Sequence, residues 1–166
     1  MSEQILIRRA TPDDAASINS IWQVIAAEKI YSAIDKPFTI EEERAYIQSL
    51  SEREGVFLAE IDGSVIGFQS LDLWARSIHS MDHVGQLGTF ALSAWRKHGV
   101  GNALAQHTLA FAKAHGYEKL VIFVRASNTS AQKFYAGLGF IECGRFARQV
   151  KIDGKFDDEI LMELFL

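Results

Sequence analysis

The sequence is poor in several residue types that mark particular protein classes. It has one cysteine, Cys143, so no internal disulfide can form, and its two prolines and lack of low-complexity runs argue against linkers or disorder. No apolar stretch approaches the ~20 residues needed to span a membrane, and no signal peptide precedes Ile5. We therefore expect a cytoplasmic protein in which residues 1–166 form a single domain without a membrane partner.

Positive charge is also scarce. The chain has 17 lysines and arginines against 21 acidic residues, which gives a net charge of −4. Nucleic-acid-binding proteins usually carry a basic face, so we expect no nucleic-acid partner. The hydrophobic fraction of 48% is enough for a core, and a mildly acidic surface weakly favours a cationic substrate.

What the sequence does contain is a predicted strand over residues 86–92, a turn over 95–102 and a helix over 100–115 that Gly116 can end. Gly99 and Gly101 allow a tight backbone that approaches a ligand closely. The first amides of a helix lack internal partners and, with the helix dipole, form an anion site. Arg96 and Lys97 add positive charge. The pattern predicts a phosphate-binding turn; the alternative is a basic loop that caps a helix.

The glycines at 99 and 101 also resemble the start of a dinucleotide-binding fingerprint. Leu104 stands where that fingerprint has its third glycine, and the apolar strand predicted at 120–124 is followed by Arg125 instead of an acidic residue. A dinucleotide-binding protein is therefore the weaker interpretation.

A second motif follows about 25 residues later: Asn128, Ala131, Tyr135, Gly139 and Phe140 in the pattern Asn-x-x-Ala-x-x-x-Tyr-x-x-x-Gly-Phe. Together with Arg96-x-x-Gly99-x-Gly101, it resembles the GCN5-related N-acetyltransferase (GNAT) family. The resemblance covers roughly residues 5–166 and is strongest over 86–144. It implies an α/β (α+β) fold, with a mixed twisted sheet of about seven strands and four helices on its faces.

The hydrophobic patterns predict the element order β-α-α-β-β-β-α-β-α-β-β. The predicted strands are 5–9, 56–61, 65–73, 86–92, 120–124, 140–148 and 155–166; the predicted helices start at Thr11, at the Thr39 capping box (ending near Glu52), at Val100 and at Asn128. On the helix from Val100, we expect Val100, Ala103, Leu104, His107 and Phe111 to form the buried face.

The reaction that the resemblance implies is direct transfer of the acetyl group of acetyl-CoA to a primary amine in a ternary complex. The acceptor is a small amine, an amino acid, an antibiotic or a protein N-terminus, and no metal site is predicted. The diphosphate would lie on the turn and the pantetheine arm beside residues 90–92, where one amide serves as oxyanion donor. The residues placed at the cofactor on this basis are Phe90, Ala91, Leu92, Arg96, Lys97, His98, Gly99, Val100, Gly101, Asn102, Asn128, Ala131, Lys133 and Tyr135.

Several of these residues have a second interpretation. Tyr135 is the general acid for the leaving thiolate, or a half-buried packing residue. Asn128 binds pantetheine, caps its own helix, or does both. Lys133 meets a cofactor phosphate or is simply solvated. A CoA-binding module without catalysis is the main alternative to an enzyme, and the chain is a possible homodimer.

The sequence does not contain the general base that the family usually has on the central strand. Gln86 stands where many family members have a glutamate, and it cannot usefully accept a proton. His83, three residues earlier, is the candidate base, with His79 and Asp82 as weaker choices and a water chain as another. Candidate acceptor contacts are Glu28 for an ammonium group, Arg76 or Arg148 for a carboxylate, and Tyr31, Phe38, Trp74 and Phe146.

Overall fold

The computed structural model describes residues 4–166, and in it seven strands form one mixed sheet in the order β1-β2-β3-β4-β5-β7-β6. The strands are β1 (Leu6–Arg9), β2 (Gly55–Ile61), β3 (Ser64–Leu73), β4 (Val84–Ala91), β5 (Lys119–Arg125), β6 (Ile141–Ile152) and β7 (Lys155–Phe165). The helices are α1 (Ala15–Glu28), α2 (Ile40–Ser49), α3 (Val100–Ala114) and α4 (Thr129–Gly137). The predicted fold class and element order are confirmed.

The predicted capping box starts α2. The Thr39 hydroxyl accepts a hydrogen bond from the Glu42 amide at 3.1 Å, and the Glu42 carboxylate accepts one from the Thr39 amide at 2.8 Å. The helix ends at Ser49, three residues before the predicted end near Glu52. In the described part of the chain, no helix is both long enough and apolar enough to cross a membrane.

The pairing of β4 with β5 is incomplete, and this positions the site. The two strands are parallel and pair from Val84–Lys119 only as far as Gln86–Val121. Beyond that point β4 continues to Ala91 and β5 to Arg125, while β5 remains paired with β7 along its length. The strands therefore leave a gap in which one edge of the β4 backbone has no strand partner.

Two hydrophobic clusters cover the two faces of the sheet. One packs α3 and α4 against it, and the other packs α1 and α2, with Trp22 buried against Phe68 and Phe90 as the helical spacing favours. The predicted buried face of α3 is offset: the buried residues are Val100, Leu104, Ala105, Thr108 and Ala112. His107 is exposed, although its ring centroid lies 4.8 Å from that of Phe57.

The last strand pair is longer than its sequence pattern predicts. β6 continues past Arg148 to Ile152, but its register with β7 shifts between Phe146 and Val150. Arg148 lies in this irregular stretch with a φ of 55°. A bulge interrupts the alternation of side chains, so the pattern of period two does not reveal that the strand continues.

Candidate active site

The gap between β4 and β5 opens into a cavity of about 600 Å³. Its walls are formed by the end of β4, the glycine turn, the start of α4, the end of β5 and the loop that follows α1. Of the residues predicted at the cofactor, it is lined by Phe90, Ala91, Arg96, Lys97, Gly99, Gly101, Asn102, Asn128, Ala131 and Tyr135. Two separate motifs of the sequence thus meet at one cavity.

Free backbone amides mark the turn. In the described residues, no amide from Lys97 to Asn102 donates a hydrogen bond, and the first bond of α3 runs from the Ala103 amide to the Gly99 carbonyl at 2.9 Å. Gly99 has a φ of 85°, which favours glycine. A Cβ at Gly101 would lie 3.0 Å from the Phe134 ring, so this glycine lets α3 and α4 approach. Consecutive free amides at a helix N-terminus are suited to an anion.

Arg96 does not contribute a free positive charge to this turn. Its guanidinium forms two hydrogen bonds with the Glu28 carboxylate, at 2.6 and 3.0 Å, and a third with the Ala91 carbonyl at 3.0 Å. It also lies 4.0 Å from the centroid of the Tyr31 ring. The expectation that Arg96 supplies charge to a phosphate is therefore corrected: it ties the turn to the end of α1.

Four residues predicted at the cofactor do not line the cavity: Leu92, His98, Val100 and Lys133. Val100 is buried in the core on the α3 side, while His98 and Lys133 are exposed. The Leu92 amide is already used, because it donates to the Ile66 carbonyl at 3.0 Å. Since strand residues alternate in the direction of their amides, the neighbouring Ala91 amide faces the gap.

Tyr135 lies within a buried chain of polar groups. Its hydroxyl donates to the hydroxyl oxygen of Thr89 at 2.7 Å, and the Gln69 side-chain amide donates to the same oxygen at 2.7 Å. Both Thr89 and Tyr135 line the cavity. Burial raises the pKa of Tyr135 to about 12, although the contact with Thr89 partly opposes this rise. The phenol is therefore protonated at neutral pH.

Asn128 caps α4, which was one of the roles predicted for it. Its side-chain oxygen accepts from the Ala131 amide at 3.1 Å, and its side-chain nitrogen donates to the Tyr31 carbonyl at 3.4 Å. Asn128 thereby joins the start of α4 to the loop after α1. It also lines the cavity.

The structure does not bring His83 to the cavity. His83 is exposed and precedes β4, at the end of the strand opposite to the glycine turn. Gln86 does line the cavity, and no histidine does so within the described residues. The weaker candidates His79 and Asp82 contact each other at 3.2 Å in an exposed loop.

Two carboxylates, the buried Glu43 and the half-buried Asp72, lie on the α2 side of the sheet beside Gln86. Asp72 pairs with Gln86 across β3 and β4 and accepts a hydrogen bond of 2.8 Å from Tyr46. Burial raises the pKa of Glu43 to about 7, and the negative charge of Asp72 adds to the rise. Neither carboxylate lines the cavity.

Most of the residues proposed to contact the acceptor bind other groups of the protein instead. Glu28 pairs with Arg96, Arg76 pairs with Glu54 at 2.9 Å, and Arg148 lies over Phe156. Phe38 packs on Trp22 outside the cavity. The candidates that remain near the cavity are Tyr31, which lines it, and Trp74 and Phe146, which flank the lining residue Phe123.

Several polar residues of the site were missed at the sequence level: Gln69, Thr89, Glu159, and the lining residues Ser32, Arg125 and Ser130. Thr89 and Glu159 line the cavity, and Gln69 holds Thr89 from behind. Because side chains alternate along a strand, the sequence does show that Thr89 and Gln86 lie on opposite faces of the sheet. The partners of Gln69, Thr89 and Glu159 come from strands distant in sequence, so spacing could not reveal them.

Comparisons with known proteins identify the family of the chain. A sequence model of the Acetyltransferase (GNAT) family matches residues 18–140. The uncharacterized N-acetyltransferase MJ1207 of Methanocaldococcus jannaschii is 28% identical over 141 residues, and this alignment covers 82% of the present chain but only 60% of MJ1207. YwnH of Bacillus subtilis, provisionally named a phosphinothricin acetyltransferase, is 26% identical over 158 residues, which cover 93% of this chain and 96% of YwnH.

Among solved structures, yncA of Salmonella typhimurium is provisionally named an acetyltransferase and contains its cofactor acetyl-CoA. It has a TM-score of 0.90 and 21% identity to this chain, and the match covers 98% of this chain and 94% of yncA. At that identity the likeness bears on the fold. Since the family model matches well over half of the sequence, the chain belongs to the Acetyltransferase (GNAT) family and is an acyltransferase of the N-acetyltransferase type.

Proposed function

We propose that the protein transfers the acetyl group of acetyl-CoA directly to a primary amine, with both substrates bound together. The observation that carries the proposal is the run of free amides over residues 97–102 at one end of a cavity that continues to Tyr135. A diphosphate fits the amides, and an acyl thioester extended from it reaches the gap between β4 and β5. Holding both reactants in one cavity removes much of the entropic barrier.

The Ala91 amide is the proposed oxyanion donor. It faces the gap because its neighbour Leu92 is bonded to β3. A carbonyl oxygen of the thioester that lies beside β4 would accept this hydrogen bond, which strengthens as negative charge develops. Removing one such donor typically costs ~10²–10³-fold in rate.

Tyr135 is proposed to hydrogen-bond the departing sulfur. Its pKa of about 12 lies well above the ~8.5 of an ordinary thiol, so complete proton transfer to a thiolate would cost ~5 kcal/mol. The phenol has one proton, which it donates to Thr89 in this structure, so a hydrogen bond to the developing thiolate would replace that bond and lower the energy of the thiolate without that cost. The second bond on the Thr89 hydroxyl, from Gln69, fixes the group that orients Tyr135.

No base on the enzyme is needed if the acceptor reacts in its neutral form. Gln86 cannot accept the proton, and His83 lies away from the cavity. The ammonium form of the amine would lose one proton to solvent before the amine attacks. The nitrogen would lose a second proton as the C–S bond breaks, and the departing thiolate would take up one proton to leave as the free thiol. The proposed mechanism thus depends on positioning and on the Ala91 and Tyr135 hydrogen bonds, and the fraction of neutral amine sets the rate.

The direct test is a screen for thiol release from acetyl-CoA with a panel of amines. The panel should include alkyl monoamines, diamines, amino acids, phosphinothricin and a short peptide with a free N-terminus. Calorimetry should measure the affinity for acetyl-CoA in parallel. Release with at least one amine supports the proposal. Tight acetyl-CoA binding without release for any amine would instead favour a CoA-binding module without catalysis.

A further inference from the structure

The charges that line the cavity are not equivalent. They belong to Arg96, Lys97, Arg125 and Glu159. Arg96 is neutralised by Glu28, and Arg125 binds Asp157 at 2.9 Å and the carbonyls of Lys29 and Ser32. In the described part of the chain, neither Lys97 nor Glu159 forms an ion pair or a side-chain hydrogen bond. The cavity is thus positive at the turn and negative at its far wall.

Glu159 has a well-defined place in the sheet. It pairs with Arg125 of β5 on one side and with Phe146 of β6 on the other. Its side chain lies on the same face as Phe123, because Phe123 is two residues before Arg125. This is also the face of Gln86, which pairs with Val121. Glu159 is therefore on the α1 and α2 side of the sheet, opposite to Thr89 and Tyr135.

Aromatic residues neighbour Glu159 in the sheet, because Phe146 is its partner on β6 and Phe123 lies two residues before its partner Arg125 on β5. Phe123 lines the cavity and stacks on Trp74 with ring centroids 5.7 Å apart and an angle of 23°. The ring centroid of Phe146 lies 6.1 Å from that of Phe123, and both Trp74 and Phe146 are more than a third exposed. Burial raises the pKa of Glu159, and no neighbouring cation lowers it. A half-buried carboxylate beside aromatic faces is suited to an organic cation.

We propose that Glu159, with Phe123, Trp74 and Phe146, binds a positively charged group of the acceptor at a distance from the nitrogen that is acetylated. The proposal rests on the proposed function, because it assigns the acceptor half of the same cavity. It names the acceptor class as diamines or polyamines and disfavours acceptors whose second group is a carboxylate. A negative charge there would meet Glu159 without a free cation to offset it.

The distance between Glu159 and the gap indicates that Glu159 binds a second cationic group of the acceptor and not the reacting nitrogen. Along the strands, Glu159 pairs with Arg125 at the end of β5, and Ala91, whose amide faces the gap, is at the end of β4. Across the sheet, β7 is two strand positions from β4, which corresponds to about 10 Å or more. An acceptor that joins the two points needs a chain of several bonds between its amines.

The kinetic test compares wild type with Glu159→Gln. The matched control is Glu163→Gln, the same change on the same strand and face, at a residue that pairs with Lys119 outside the cavity. For an alkyl diamine, we expect at least a tenfold rise in KM with kcat within threefold in Glu159→Gln, and no rise for a monoamine of equal length. Equal effects on both acceptors, a loss confined to kcat, or an unchanged KM for the diamine would overturn the proposal.

A binding test does not depend on turnover. Benzyltrimethylammonium cannot be acetylated, so calorimetry with the CoA-bound protein reports the cation site alone. We expect binding that weakens at least tenfold in Glu159→Gln, stays unchanged in Glu163→Gln, and is absent for phenylacetate. If these hold while no amine releases thiol, the proposed function fails and the cation site stands. If amines react but the cation does not depend on Glu159, this inference alone fails.

Discussion

The hydroxyl of Tyr135 on α4 lies 2.7 Å from the hydroxyl of Thr89 on β4, and the bond joins two elements that line the cavity. The phenol oxygen is otherwise buried in an apolar environment, which accounts for its raised pKa. This contact fixes the position of the phenol oxygen, and the proton must turn away from Thr89 to reach a departing sulfur. The contact therefore links the second sequence motif to the strand along which the thioester is proposed to lie.

Tyr135→Phe removes the hydroxyl and keeps the ring. We expect kcat to fall at least tenfold, because general acids and charge-stabilising donors typically contribute about 10²–10⁴-fold. The dissociation constant for acetyl-CoA should stay within twofold, since the diphosphate amides are untouched. Unchanged kcat would remove Tyr135 from the reaction.

Thr89→Val should lower kcat in the same direction as Tyr135→Phe, because Tyr135 loses the group that orients it. The change also leaves the buried Gln69 amide without an acceptor, which costs about 1–3 kcal/mol of stability. Thr89→Ser retains the hydroxyl and is the matched control. Steady-state kinetics and thermal unfolding of both variants provide the test, and equal losses in Ser and Val would contradict a role for the hydroxyl.

Arg96 and Lys97 are adjacent, but their alanine substitutions should have different effects, one on stability and the other on CoA binding. Arg96→Ala leaves the partly buried Glu28 carboxylate unpaired and should lower the free energy of unfolding by about 1–3 kcal/mol. Lys97→Ala should leave stability unchanged and weaken CoA binding a few-fold at low salt, with less effect at high salt. Thermal unfolding and calorimetry at two salt concentrations separate the two. The reverse pattern would mean that Arg96, and not Lys97, meets the phosphates.

Glu43 gives a pH dependence of stability with a defined sign. Its pKa is about 7 in the folded protein and 4.5 in the ordinary state, so the unfolded chain loses this proton first as the pH rises. Glu43 therefore destabilises the fold progressively between pH 4.5 and 7, by up to about 3 kcal/mol. Glu43→Gln should raise Tm at pH 8 and leave it unchanged at pH 4.

The exposed Glu41 provides the control for this measurement. Glu41→Gln keeps the helix and has the same net charge as Glu43→Gln, without altering a buried group. Its Tm should follow wild type at both pH values. A gain at pH 8 in both variants would trace the effect to net charge.

The pH dependence of the reaction tests the absence of a base on the enzyme. With an alkylamine acceptor, whose pKa is about 10.4, kcat/KM should rise about tenfold per pH unit from 7 to 9. With a peptide N-terminus, whose pKa is near 8, the curve should level near that value. A common plateau near pH 7 for both acceptors would reveal a protein base.

The elements of this fold could be predicted because their signals are local. The Thr39 capping box, the glycines of the turn and the continuous apolar strand before Arg125 each occupy a few neighbouring residues. The bulge in β6 and the offset face of α3 were missed for a related reason. The buried face of α3 and the strand β6 each depart from the regular side-chain period because of contacts with other elements.

The site residues that belong to a local motif could be predicted from the sequence. Those that depend on contacts between distant parts of the chain could not. Tyr135 and Asn128 line the cavity as the motif implies. Arg96 has the expected position, but its partner Glu28 is 68 residues away, and no spacing rule connects them. Glu159 is brought to the cavity only by the order of the last three strands, which the sequence does not specify.

The link from Arg96 to Glu28 and Tyr31 has a consequence for the catalytic cycle. Arg96 belongs to the turn that would close on a diphosphate, whereas Tyr31 belongs to the wall against which an acceptor would rest. Because one guanidinium contacts both, a shift of either end would be transmitted to the other. This coupling would favour an ordered mechanism. The thioester would bind first, and its binding would shape the site that the amine then occupies.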